Sequence, residues 1–367
     1  MGTSTTVWIV AIIVVAAAVG GAGFFAGYEY RGSASSSSAA ANNTLSILGA
    51  GTLNTVFPEL ASELVNQTPG ISSPTSAQLY EGSLDITTAI TGLTATADVA
   101  AVADYRLIPT LLEPKFASFE AVWGSTQEAL VWSPTNSVVD SAFAGINNTN
   151  WPTELASAIT GNGKPMGVWN ASTDPNGYNE IFDMMLQGMI YDGGDVSAVY
   201  GQYYTGAPGA LAVPIPSMAI LEHESGAALD LSSNVVTAVI TYRAFAILNH
   251  LPYFAFNPIV GLTANNSTAL ADYAKLSTSV IGSSGALAKV YPAPVLFAVT
   301  VPSNAQNPAL GAAFIHLLLS PAGAAIIAQG GAFVPIFPGW SDDPSAAPPI
   351  LQPDLVPLPV WAATILG

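Results

Sequence analysis

The sequence predicts an α/β protein built on parallel strands. Short runs of small or β-branched apolar residues alternate with segments of helical periodicity, and glycine-rich turns separate them. Proline-led helix starts recur towards the C-terminus. At 367 residues the chain exceeds one ordinary domain and suits a single two-lobed unit or two domains.

The first apolar run, residues 45–48, breaks into the turn 49–52. Val56, Phe57, Leu60, Leu64 and Val65 then recur at three- and four-residue spacing, with Pro58 in the first turn, where proline is tolerated. This reads as strand, glycine turn, helix. A second such unit begins at residues 80–85, followed by a helix over 86–91 and a buried strand over 98–103. Asp104 opens a helix containing Leu107, Ile108 and Leu111. One alternating strand is expected over 121–132, a helix over 151–159 and a strand at 167–170. An amphipathic helix follows over 181–191, whose Met184, Met185 and Met189 are expected in the core rather than in a soft-metal site. Residues 235–241 and 293–301 read as buried strands. Asn307-Pro308 and Ser320-Pro321 each place a capping residue before a proline, opening helices over 309–319 and 322–329, and Gly330-Gly331 stops the second. The Pro-rich tail, 341–367, is expected to pack as an extended strap.

Half of the residues are hydrophobic and only 8% are charged, against roughly 25% in ordinary soluble proteins. Only residues 7–26 reach spanning length without a charge, about the 20 residues that a membrane helix needs. They read as an anchor or a signal. The preceding residues 1–6 carry no basic side chain, which disfavours a cleaved signal peptide. Residues 27–44 form a Ser/Ala-rich linker, and sequons follow at Asn42, Asn66, Asn147, Asn170, Asn265 and Asn266. Together these favour an exported glycoprotein body tethered by an N-terminal transmembrane helix. A formal net charge of −17 with seven Lys and Arg excludes a nucleic-acid partner, which requires a basic stripe. With so few bases to pair with, most carboxylates are expected to be solvated, and stability to persist in acid, as on the surface of an acidophile. The absence of cysteine excludes disulfides, thiolate metal sites and a lipid anchor on an N-terminal Cys.

Two turns between strand and helix, at Gly51-Thr52 and Gly82-Ser83, are candidate anion sites. Unsatisfied backbone N–H groups and the helix dipole favour negative charge there without any Lys or Arg. His223, His250 and His316 are isolated and expected to be structural. Asp183, Glu180 and Asp230 lack an accompanying nucleophile motif, so no enzyme is predicted.

Several segments carry a resemblance. Leu48-Gly-Ala-Gly-Thr-Leu53, Ala97-Asp-Val-Ala-Ala-Val-Ala-Asp-Tyr105, Asp174-Pro-Asn-Gly-Tyr178, Tyr242-Arg243 and Phe314-Ile-His-Leu-Leu-Leu-Ser-Pro-Ala-Gly323 resemble, in order, the archaeal tungstate/molybdate-binding proteins of ABC transporters. The similarity spans most of residues 45–340. It implies a two-lobed type II periplasmic-binding-protein fold with the ligand in the cleft, lobe 1 from 45–130 and 300–340, and lobe 2 from 131–299. It also implies an extracellular protein that captures an oxyanion for a permease, needs no cofactor, and has tungstate or molybdate as ligand, with sulfate or phosphate as alternatives. Carried over, Gly51, Thr52, Gly82 and Ser83 donate from lobe 1, Asp174 contacts the metal of the oxyanion, and Tyr178 and Tyr242 line the cleft. The chain departs from the family at Thr241, where the resemblance calls for a second carboxylate. Glu222 and Glu224 are the nearest substitutes in sequence. A surface structural or adhesion glycoprotein that kept this fold without transport is the alternative reading.

Overall fold

Two mixed sheets organise the chain in the computed structural model, which describes residues 43–222, 224–282 and 285–366. Residues 7–26, most of the linker, Asn42 and His223 lie outside the described residues. Among the described residues no single helix is long and apolar enough to cross a membrane.

Across the first sheet the strands run Leu355–Pro357, Val334–Ser341, Ala121–Ser125, Leu296–Thr300, Val99–Val102, Ile47–Ala50 and Gln78–Glu81. Ile47–Ala50 pairs in parallel with both of its neighbours, as the strand–turn–helix units predict. Leu296–Thr300 lies antiparallel to both of its own, so the sheet is mixed, not all parallel. The chain reaches that strand from a separate antiparallel ladder, Thr278–Ile281 with Leu287–Val290, and not through the helical crossover that parallel pairing requires. The second sheet runs Tyr253–Ala255, Glu128–Trp132, Ala238–Tyr242, Gly167–Trp169 and Ala219–Leu221.

The single strand expected over 121–132 is two strands, one in each sheet. Thr126 and Gln127 leave the ladder between them and find other partners. Thr126 Oγ donates to Ala332 O at 3.1 Å and accepts from Ala244 N at 3.2 Å. Gln127 donates to Phe256 O at 2.9 Å, and its own carbonyl accepts from Arg243 N at 2.7 Å. Both strands are covered on each face, which is why their pattern reads as near-continuous apolar residues.

Other boundaries shift for local reasons. The helix expected from Asp104 is one wide turn, Ile108–Leu112. Pro114 follows Glu113, and a residue before proline is driven out of the helical region, as the extended backbone of Glu113 shows. The helix expected at 181 starts at Pro175 and runs to Tyr191, capped by Asp174. Met184 and Met185 are buried and Met189 packs against the same core. The tail is not an extended strap throughout. Leu355–Pro357 joins the first sheet parallel to Val334–Ser341, and Val360–Leu366 is helical. Tyr105 OH donates to Ala362 O at 2.9 Å, and His316 Nδ1 meets Asp354 Oδ2 at 2.5 Å, which ties down both ends of that tail.

Trp123 centres the core beneath the first sheet. Its ring lies 5.8 Å from Phe57, 5.6 Å from Phe297 and 5.3 Å from Phe333. Replacing it with alanine removes all three contacts and leaves a cavity, which is expected to lower stability by about 3–5 kcal/mol. Urea unfolding of Trp123→Ala checks this, and a loss below about 1 kcal/mol would show that the core collapses around the gap.

Candidate functional site

Three segments meet where the two sheets approach. Strand Ile47–Ala50 runs into a single tight turn, Gly51–Asn54, which buries Thr52. Strand Ala238–Tyr242 carries Thr241, and helix Glu224–Ser232 opens at Glu224. Thr241 Oγ donates to Glu224 Oε1 at 2.8 Å, and Thr52 Oγ donates to Glu224 Oε2. All three residues are buried. Gly51 makes the approach possible, because a Cβ there would lie 2.7 Å from the Cβ of Glu224.

The second turn meets the loop before helix Pro175–Tyr191. A Cβ on Gly82 would lie 2.2 Å from Thr173 O, so only glycine permits this contact. Leu84 N donates to that same carbonyl at 3.1 Å. Ser83 Oγ accepts from Ala103 N at 2.9 Å, which turns the hydroxyl towards its own sheet. Asp174 is buried and caps its helix, accepting from Asn176 N at 2.9 Å. Tyr178 OH donates to Asp104 Oδ2 at 2.7 Å, and the Arg106 guanidinium clasps the same carboxylate. Tyr242 is fully buried, its hydroxyl has no hydrogen-bond partner, and its ring stands edge-on to Phe297 at 5.3 Å.

The structure thus gathers Gly51, Thr52 and Thr241 on Glu224, and sets Gly82 against the backbone beside Asp174. Glu222, the other carboxylate near Thr241 in sequence, is exposed and accepts from Asn170 Nδ2 at 3.1 Å. Sequence reasoning missed a buried polar column on helix Pro175–Tyr191. Asn176, Asn179, Glu180, Asp183 and Gln187 all sit on that helix and are buried, and Asn179 Nδ2 donates to Glu128 Oε1 at 3.0 Å. Polar residues at helical spacing read as a solvent face, so no sequence signal marks them as internal. Of the sequons, Asn66, Asn147, Asn265 and Asn266 are exposed, whereas Asn170 is half-buried and its amide is engaged by Glu222.

Most acidic residues among those described are at least partly exposed, as expected, but eight are buried: Asp98, Asp104, Glu120, Glu128, Asp174, Glu180, Asp183 and Glu224. Burial drives most of their pKa values upwards, because a charged carboxylate loses its hydration there. Burial and the Glu224 charge hold Asp174 well above the usual range. Burial and the charges of Glu224, Glu180 and Asp174 do the same to Glu128, against the Asn179 hydrogen bond. Asp183 is raised by burial and by Glu128 and Glu180. Glu180 is raised by burial, although Tyr204 OH and Trp169 N donate to it. Glu224 is raised by burial, and hydrogen bonds from Thr52 and Thr241 oppose the shift. Burial with Asp342 nearby pushes Glu120 up to about 9 and Glu113 to about 7, and burial with Glu81 and Glu222 pushes Asp85 to about 7. Asp104 goes the other way: burial raises it, but the Arg106 charge and hydrogen bonds outweigh burial and lower it. The exposed Asp343 is also lowered, by hydrogen bonds from Ser345.

Groups raised in the fold contribute stability that is complete below their unfolded values near 4 and is lost as pH rises through their folded values. Asp104 contributes above its unfolded value and loses that contribution in acid. The raised groups outnumber the lowered ones. The melting temperature is therefore expected to climb as pH falls from about 8 to about 4, and calorimetry across that range checks it. A melting temperature that falls over the same range would reverse this assignment.

The model of the bacterial extracellular solute-binding protein family matches residues 45–332. An uncharacterized solute-binding protein of Petrotoga mobilis is 25% identical over 287 residues, covering 78% of this chain and 82% of that protein. The molybdate/tungstate-binding protein WtpA of Pyrococcus abyssi is 25% identical over 296 residues, covering 78% and 83%. Among solved structures, the periplasmic molybdate-binding protein of Azotobacter vinelandii superposes with a TM-score of 0.48 at 14% identity, covering 78% of this chain and 97% of that one. With more than half its length matched by the family model, the chain belongs to the bacterial extracellular solute-binding proteins.

Proposed function

We propose that this protein captures a metal oxyanion, tungstate or molybdate, on the extracellular face of the cell membrane and delivers it to the permease of an ABC importer. The carrying observation is the convergence of donors on one negative group. The hydroxyls of Thr52 and Thr241 both donate to a single buried carboxylate. Such a pair of converging hydroxyl donors stabilises an anion without a base.

The neighbouring carboxylates bear on which anion fits. Asp174 and Glu128 feel the charge at this spot. Sulfate and phosphate offer only oxygen to them and meet repulsion. A tungstate or molybdate centre expands its coordination shell and accepts a carboxylate oxygen, which turns Asp174 from an obstacle into a ligand. Similarity to the tungstate/molybdate-binding proteins supports the same choice. In this reading residues 45–130 with 300–340 form one lobe, 131–299 form the other, and 7–26 tether the protein to the membrane. Gly51, Thr52, Gly82 and Ser83 contact the anion from one side and Asp174 and Thr241 from the other, with Tyr178 and Tyr242 closing the walls. Contacts from both lobes make the closed state the tighter binder, and that difference drives closure.

Titration calorimetry with tungstate, molybdate, sulfate and phosphate tests the proposal. Heat and a raised melting temperature are expected for the first two anions. Asp174→Ala is expected to weaken tungstate at least ten-fold, about 1.4 kcal/mol, and to leave sulfate unimproved or slightly better bound. No response to any of the four would transfer the chain to the structural or adhesion reading.

A further inference from the structure

Glu224 is held in the way a bound solute is held. Its Oε1 accepts from Thr241 Oγ at 2.8 Å and its Oε2 accepts from Thr52 Oγ. Thr52 follows a strand of the first sheet and Thr241 lies within a strand of the second. One carboxylate therefore ties the two sheets together. It is 2% exposed and stands beside Asp174 and Glu128, where burial and like charge both oppose it. The donors are what keep it there. Its segment is short and arrives from outside: Leu221 ends a strand of the second sheet, Glu222 is exposed, and helix Glu224–Ser232 begins at Glu224 itself.

We propose that Glu224 is a built-in surrogate for the solute, occupying the donors of the anion subsite, holding the two halves together without solute, and leaving when an oxyanion enters. The proposal rests on the oxyanion reading above. Two groups cannot accept the same Thr52 and Thr241 hydroxyl protons at once, so solute and Glu224 compete. The carboxylate thereby sets the affinity of the site. It also lets the closed form exist in the absence of solute, because the link between the sheets is supplied from within. Gly51 belongs to the same device, since a methyl group there would collide with the Glu224 Cβ.

The test uses the whole protein and three variants, Glu224→Ala, Glu224→Gln and Gly51→Ala, each first checked for an unchanged solute-free melting profile. Tungstate affinity by calorimetry is expected to rise at least about five-fold in Glu224→Ala, a typical coupling magnitude, with Glu224→Gln in between. Small-angle scattering of the solute-free protein is expected to show a larger radius of gyration in Glu224→Ala and in Gly51→Ala than in the wild type. Tungstate is expected to restore the compact value in Glu224→Ala. Weaker tungstate binding in both Glu224 variants would make Glu224 a ligand of the bound oxyanion and overturn the proposal. Unchanged affinity with unchanged scattering would make it a structural residue and overturn it equally. Should no anion bind the wild type or any variant, the oxyanion reading fails and the solute-free scattering still decides: opening upholds the internal latch, and no change removes it.

Discussion

Every other feature of the body depends on how the chain passes from one sheet to the other at Thr126 and Gln127. Two residues leave the ladder of one sheet and the chain re-enters in the next, which would orphan backbone groups in a buried place. The side chains of both residues and the Gln127 carbonyl find partners elsewhere. Thr126 serves Ala332 and Ala244, and Gln127 serves Phe256 and Arg243, while Arg243 also reaches Gly331 O at 2.7 Å. The crossing therefore fastens three distant segments: the start of the second sheet, the strand end that carries Thr241, and the turn that leads into Val334–Ser341. Both faces of the site are positioned by this one short passage.

From there, the two sheets share an apolar core, in which Tyr242 packs on Phe297, and polar contacts join them as well. Leu84 N with Thr173 O, Tyr178 with Asp104, and Thr52 with Glu224 are hydrogen bonds between segments far apart in sequence. Each is modest in net energy, on the order of 1 kcal/mol. Contacts of that size suit parts that separate and rejoin, whereas the Trp123 core suits a part that never opens. Gly82 sharpens the difference. Its missing side chain lets two backbones touch, so the contact there is one of shape and not of a charged pair.

The electrostatics of the body follow from a poverty of bases. Arg106 is committed to Asp104, and Lys275 to Asp272. The remaining buried acids rely on burial to stay protonated, or on hydroxyl and amide donors when they are charged. A protein of this design suits acidic surroundings, because protonation relieves its interior instead of breaking ion pairs. The donors that tolerate an internal carboxylate are the same hydroxyls that the proposed anion subsite uses.

The sequence by itself determined the order of the elements, the glycine turns at Gly51 and Gly82, the Asn307-Pro308 and Ser320-Pro321 helix starts, and the methionine core. These are local matters of dihedral freedom, capping and hydrophobic spacing, and each is readable within about ten residues. The segments resembling tungstate/molybdate-binding proteins were equally legible, since they are short and contiguous. Tertiary structure alone decided the break at Thr126, the mixed direction of the sheets, the helical tail end and the buried polar column of helix Pro175–Tyr191. It also decided that Glu224, and not Glu222, stands beside Thr241. Thr52 and Glu224 are separated by 172 residues, and no local pattern encodes a hydrogen bond across that distance. Desolvation is likewise a property of what surrounds a carboxylate in space, so Asp183 and Glu128 look like surface acids until the fold encloses them.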